Sequence, residues 1–130
     1  MKGRDAMSFI DIPTLGGGHV HAAVDSVYRI TRSLQGDGSA LTRVEFAGEI
    51  QLSQMPVANV AQLLVNAGAK LVDLTAPDGS EIFLAAGAIT AVRAADPHID
   101  PPGANAVVTV SGQRQAVRQT QQQVEQALSG

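Results

Sequence analysis

Residues 76–110, "APDGSEIFLAAGAITAVRAADPHIDPPGANAVVTV", run as turn, apolar stretch, apolar stretch, proline-rich loop and apolar stretch. Residues 14–46, "TLGGGHVHAAVDSVYRITRSLQGDGSALTRVEF", follow the same order in other residues. Glycine- or Asp-Gly-marked turns between short apolar runs signal hairpins. The fold therefore turns on whether the chain contains one strand-rich unit twice.

An offset of 62 residues lays Gly17 on Gly79 and brings Phe9, Asp11 and Ile12 over Leu71, Asp73 and Leu74. It also pairs Val20 with Ile82, Ala23 with Ala85, Val27 with Ile89 and Ile30 with Val92. A slightly larger offset of 64 matches Val44 to Val108, Phe46 to Val110, Gly48 to Gly112, Val60 to Val124 and Leu64 to Leu128. Repeats at such a period mark units that bury their apolar faces together.

Each unit reads as strands followed by one helix. In the first, residues 9–12 form a strand, residues 14–18 a glycine turn, and His19 to Val24 alternate as a strand with one buried face. A strand from Val27 to Arg32, a hairpin tip at "QGDGS", and strands carrying Val44 and Phe46, then Ile50 and Leu52, complete the sheet. "MPVANVAQLLVNAG" supplies the helix: Pro56 suits its start, Gly68 its C-terminal cap, and Val57, Val60, Ala61 and Leu64 form one stripe. In the second unit Thr120 and Gln123 have capping-box spacing before a shorter apolar face of Val124, Ala127 and Leu128.

The fold class is thus α+β, mainly β: two similar strand-rich units, each a small curved or barrel-like antiparallel sheet with one C-terminal helix. The expected boundaries are a flexible N-terminal arm at 1–7, a first repeat at 8–68 with a helix over about 56–67, and a second at 69–130 with a helix over about 121–128. One unit alone buries little apolar surface, so the two are expected to pack as a single compact pseudo-twofold domain. Met7 is a second candidate start.

Composition narrows the function. The 130 residues are 45% hydrophobic and 16% charged, which suits a folded globular chain; aromatics at 3% leave few stacking platforms for bases. The net charge is −3, with five Lys/Arg against six Asp/Glu up to Gly68 and four against six beyond it. Neither half carries a field that would gather phosphates or anionic lipid, so no nucleic-acid or membrane partner is expected. No cysteine is present, which excludes disulfides and thiolate chemistry and agrees with a cytoplasmic protein. No apolar run approaches the roughly 18 residues of a membrane span.

Few residues nominate themselves for chemistry. His19 and His21 in "HVH" project from one side of a strand, as metal-ligand pairs do, and His98 between Asp96 and Asp100 could complete a set. In the second unit Glu81 and Phe83 hold those two places, so the pair is no feature of the repeat. The glycine run at 16–18 lacks the Lys-Ser/Thr of a phosphate loop and leads into a strand. No G-x-S-x-G elbow or paired-carboxylate pattern appears, so no catalytic residues and no cofactor are assigned. Arg29, Arg32 and Arg43 could form a basic patch, balanced by Glu45 and Glu49. The loop at 93–105 is different in kind: three prolines stiffen it, lowering the entropy lost when a partner is bound. Asp96, His98, Asp100, Pro101 and Pro102 are the candidate partner-binding residues.

"LVDLTAPDGSEIFLAAGAITAVR" followed by "VVTVSGQRQAVRQTQQQVEQAL" resembles the small FlbD-type flagellar proteins and related short bacterial and phage open reading frames. The shared pattern is the Asp78-Gly79 turn, Ile89 and Val92, the Gly112 turn, Val117, Thr120, and a short helix with Val124 and Leu128. It departs at Ala85-Ala86, where that pattern has Asn-Pro, and in its long central loop. The resemblance implies a small β-rich module without catalytic residues. The expected role is a non-catalytic structural or interaction module that self-associates or binds a larger assembly, such as a phage virion accessory or decoration protein. A flagellar-type regulatory or adaptor protein is the alternative within that class, and a metal- or small-molecule-binding protein using His19 and His21 the alternative outside it.

Overall fold

The computed structural model describes residues 8–34 and 40–129. The N-terminal arm at 1–7 and the "QGDGS" tip lie outside the described residues. The protein is α+β and mainly β. It divides into two compact units, Met1–Lys70 and Leu71–Gly130.

In the first unit β1 (Phe9–Pro13) and β2 (His19–Ala23) form an antiparallel hairpin. A single 3-10 turn (Val24–Ser26) leads into β3 (Val27–Leu34), β4 (Ala40–Phe46) and β5 (Glu49–Ser53), which pair antiparallel in that order. Helix α1 (Val57–Asn66) closes the unit and packs on β1, β3 and β4. In the second unit β6 (Leu71–Thr75) pairs with β7 (Glu81–Ala85). A 3-10 turn (Ala86–Ala88) follows, then β8 (Ile89–Ala94), β9 (Ala106–Val110) and β10 (Gln113–Val117), again antiparallel in order. Helix α2 (Gln121–Ser129) packs on β6, β8 and β9.

Backbone details recur between the units. Thr14 N–H donates to the Gly18 carbonyl at 2.9 Å and Gly17 N–H to that of Thr14 at 3.3 Å; Ala76, Ser80 and Gly79 repeat this at 2.8 and 2.9 Å. Gly17 and Gly79 sit at φ of 90° and 95°, a region open to glycine at little steric cost. The two-residue turns Ala47-Gly48 and Ser111-Gly112 have positive φ at both positions (44° and 82°, 49° and 78°), the geometry that suits the twist of a tight hairpin. A register shift falls between Val27 and Arg29 in β3, and between Ile89 and Ala91 in β8.

The 3-10 turns were not legible as such. Alternation through Val24 reads as continuous strand, but the chain turns there, and Val24 is buried by the turn rather than by the pleat. Pro56 is the residue before α1 rather than its first member. At the other end Gly68 N–H donates to the Val65 carbonyl (3.0 Å) and Ala69 N–H to that of Leu64 (2.9 Å), with Gly68 at φ 102°. This left-handed stop satisfies helix-end carbonyls.

The α1 stripe is buried at Val60, Ala61 and Leu64. On α2 only Val124 is fully buried; Leu128 is half-buried and Ala127 exposed. No helix among the described residues is long and apolar enough to cross a membrane.

Candidate interaction site

The loop between β8 and β9 is held in one conformation by its own side chains. Ala95 N–H donates to the Asn105 carbonyl at 3.1 Å, closing the neck. Pro97 opens a single helical turn in which the Asp96 carbonyl accepts from Ile99 and Asp100 N–H at 3.0 and 2.8 Å. The Asp96 carboxylate caps that turn: its Oδ1 accepts from His98 N–H at 2.9 Å and lies 3.1 Å from His98 Nδ1.

Asp100 is the strut of the loop. Its Oδ2 accepts from Asp96 N–H at 2.7 Å, and both Arg93 terminal nitrogens donate to its carboxylate, at 2.8 and 3.1 Å. Such a fork fixes angle as well as distance. These bonds hold the Asp100 carboxyl below the usual Asp range, with the Arg93 hydrogen bond first and the Asp96 N–H next. The same hydrogen bond moves the Arg93 guanidinium upward. The Asp100 side chain keeps only 9% of its exposure.

The second half of the loop is a tight turn. Ala104 N–H donates to the Pro101 carbonyl at 3.2 Å, with Pro102 and then Gly103 (φ 87°) between them. Proline followed by a positive-φ glycine is the pairing a type II turn requires. A Cβ at Gly103 would also stand 3.3 Å from the Pro77 carbonyl. Asn105 anchors the exit, its N–H donating to the Val117 carbonyl at 2.8 Å and its Nδ2 to that of Arg118 at 2.6 Å.

The loop therefore turns Asp100 inward, ties the exposed Asp96 into its own turn, and leaves Pro97, His98, Ile99, Pro101 and Pro102 outward. Ile99 is 68% exposed, the most exposed large apolar side chain among the described residues. Beside it Ala95, Pro97 and Asp100 face Pro101–Asn105 across a surface concavity of about 530 Å³. Of the five residues singled out from the sequence, two brace the loop and three are presented by it. The sequence did not mark Ile99 or Arg93; the Arg93–Asp100 spacing across a turn was the available signal.

The histidines of β2 sit elsewhere. His21 lies opposite Asp11 in the hairpin register, with Nδ1 2.8 Å from Asp11 Oδ1, and its ring stacks on Phe9 at 4.6 Å and 4°. His19 lies opposite Pro13. Among the described residues no group of three or more His, Asp or Glu is placed to hold a metal ion.

Arg29, Arg32 and Arg43 do not form one patch. Register places Arg29, Arg43 and Glu45 on one face of β3–β4 and Arg32 on the other. Arg29 Nε and Nη2 donate to the two Glu45 oxygens at 2.6 and 2.7 Å, and Glu45 is only 2% exposed. Tyr28 Oη donates to Glu45 Oε1 at 3.3 Å; burial, then the Glu45 charge, pushes its phenol up. Arg43 Nε stands 3.6 Å from Glu45 Oε2, buried and without a hydrogen-bond partner among the described residues. In place of the basic patch the sequence suggests, Arg29 and Arg43 converge on the buried Glu45 carboxylate.

Comparison with known proteins gives no match: no family model, curated protein or solved structure corresponds to the chain.

Proposed function

We propose that this chain is a non-catalytic structural and interaction module, built by tandem duplication of one strand-rich unit, that associates with itself or with a larger assembly as a virion accessory or decoration protein does. The observation that carries the reading is the Arg93–Asp100 fork, which holds a proline-rich loop in place while presenting Ile99 outward. A loop ordered before binding loses less entropy when a partner is met, and an exposed aliphatic side chain flanked by prolines supplies the apolar contact. The recurrence of turns, register shifts and helix stops at the same offsets supports duplication. The braced loop differs between the copies, and so is the part available for a specific role.

Mass in solution over a concentration series, with capture from cell extract by the wild type and by Ile99→Asp in parallel, tests the reading. Self-association, or a captured partner lost with Ile99→Asp, is expected. A strict monomer that captures nothing overturns it.

A further inference from the structure

The loop between β8 and β9 contains two Asp-Pro peptide bonds, Asp96–Pro97 and Asp100–Pro101. Such a bond is the weak point of a polypeptide in acid. The Asp carboxylate can close a five-membered ring on its own main-chain carbonyl carbon, and the alkylated prolyl nitrogen leaves readily once it has taken a proton. Proline also lacks the N–H through which other Asp residues close a succinimide instead. The loop treats its two bonds differently.

At Asp96 the carbonyl oxygen accepts from both Ile99 and Asp100 N–H, at 3.0 and 2.8 Å. Any helical turn supplies donors of this kind, but here they face the oxygen that gains charge when the carbon is attacked, and such bonds strengthen as the charge grows. His98 N–H donates to Asp96 Oδ1 at 2.9 Å, and His98 Nδ1 stands 3.1 Å from the same oxygen. Oδ2 has no hydrogen-bond partner among the described residues, and the side chain is 49% exposed, so water reaches it. At Asp100 the same parts are occupied. Arg93 takes both carboxylate oxygens and Asp96 N–H adds to Oδ2, the side chain is nearly buried, and no backbone N–H donates to the Asp100 carbonyl among the described residues. Because these bonds hold Asp100 below the usual Asp range, the fork and the turn persist in mild acid. The charged groups around Asp96 are His98, Arg93 and Asp100, with Arg114 acting on Asp100.

We infer that the folded chain cuts its own backbone between Asp96 and Pro97 in mildly acidic solution. Asp96 Oδ2 attacks the Asp96 carbonyl carbon, and the carbonyl oxygen takes the negative charge against Ile99 and Asp100 N–H. The prolyl nitrogen gains a proton from solvent, the C–N bond breaks as the carbonyl re-forms, and a cyclic anhydride of Asp96 remains. One water opens it, leaving two carboxyls on Asp96 and a free secondary amine on Pro97. Asp96 is the nucleophile and His98 a positioning residue. The cut happens once per chain, with no turnover and no partner, so it goes beyond the association reading and does not depend on it. It gives the segment carrying Ile99 a free end, while β8 and β9, paired antiparallel on either side, keep the pieces together.

The full chain, incubated in mildly acidic buffer where circular dichroism shows the native fold, and in parallel in urea at the same pH, tests this by mass measurement after denaturation. Pieces 1–96 and 97–130 should form in the folded sample at least about ten times faster than in urea, where only the ordinary lability of the bond acts. Cutting at Asp100–Pro101 should remain minor. Asp96→Asn keeps an acceptor for His98 N–H but no carboxylate, and should abolish the first cut. His98→Ala should slow the first cut several-fold and leave the second unchanged, whereas a merely loosened loop would open the Arg93 fork and speed the second. Equal rates in buffer and urea, equal cutting at the two bonds, or an Asp96→Asn chain that is cut like the wild type overturns the inference.

Discussion

At equivalent rows of their sheets the two units have adopted opposite solutions. In the first, Arg29 of β3, Glu45 of β4 and Ile50 of β5 lie side by side, with Arg43 next along β4. In the second, the same row is Ala91, Thr109 and Arg114, with Val107 next along β9. One backbone therefore carries either the Arg29–Glu45 ion pair or the small neutral pair Ala91 and Thr109 at one place. The local fold does not need the charge, so the cluster is a property of the first unit, not of the scaffold.

The sharpest way to break the comparison is to remove half of the cluster. Glu45→Ala leaves the Arg29 guanidinium, 11% exposed, without its carboxylate. Breaking a buried pair from one side costs about 3–5 kcal/mol. The double change Arg29→Ala with Glu45→Thr copies the second unit's residues and should cost clearly less than Glu45→Ala alone. Urea unfolding of the three chains measures both. A double variant at least as unstable as the single one would show that the row depends on charge after all.

The helices give the next largest contrast. Leu64 and Leu128 stand at matching places on α1 and α2, but Leu64 is fully buried and Leu128 half-buried. Leu64→Ala should cost about 2–5 kcal/mol, the range for a buried leucine, and Leu128→Ala distinctly less. Equal losses in the same unfolding experiment would mean the second helix is buried as deeply as the first.

These two contrasts mark how far the sequence could be read. The mainly-β class and both helices were legible because turn glycines and apolar spacing act locally: Gly17, Gly48, Gly68, Gly79 and Gly112 all adopt the positive φ that makes them punctuation. The reciprocal Thr120–Gln123 cap was legible for the same reason, Gln123 N–H donating to Thr120 Oγ1 at 3.2 Å and Thr120 N–H to Gln123 Oε1 at 2.9 Å. The Glu45 cluster was not. Which charges face one another depends on register between strands, and the shift between Val27 and Arg29 changes which side chains line up. The loop was visible as proline-rich, but the inward turn of Asp100 and the capping by Asp96 depend on hydrogen bonds that composition does not reveal.

Where the backbones agree, the two units should respond alike. Ala47 and Ser111 occupy left-handed positions that suit asparagine before glycine. A left-handed conformation costs an ordinary L-residue roughly 1–2 kcal/mol, part of which asparagine avoids. Ala47→Asn and Ser111→Asn should each raise the thermal midpoint, by similar amounts. A gain at one site alone would separate two turns whose backbone angles are nearly the same.

The smallest expected effect concerns two carboxyls of the second unit that are shifted in opposite directions. Asp100 is held low by Arg93, so its contribution to stability is present above the ordinary Asp value near pH 4 and fades as pH falls through its lower folded value. Glu81 is held high, by burial first and then by the charge and hydrogen bond of Asp73. Its folded form keeps a proton that the unfolded chain has released, so stability falls as pH rises from the ordinary Glu value, near 4.3, through the folded one. In the first unit the places of Glu81 and Asp73 are His19 and Asp11, which cannot form a carboxyl pair. Asp100→Asn should therefore flatten the acid limb of the urea midpoint plotted against pH. Glu81→Gln should flatten the descent just above it, and His19→Gln should leave that descent unchanged. If His19→Gln altered it as much as Glu81→Gln, the carboxyl pair of the second hairpin would not be its source.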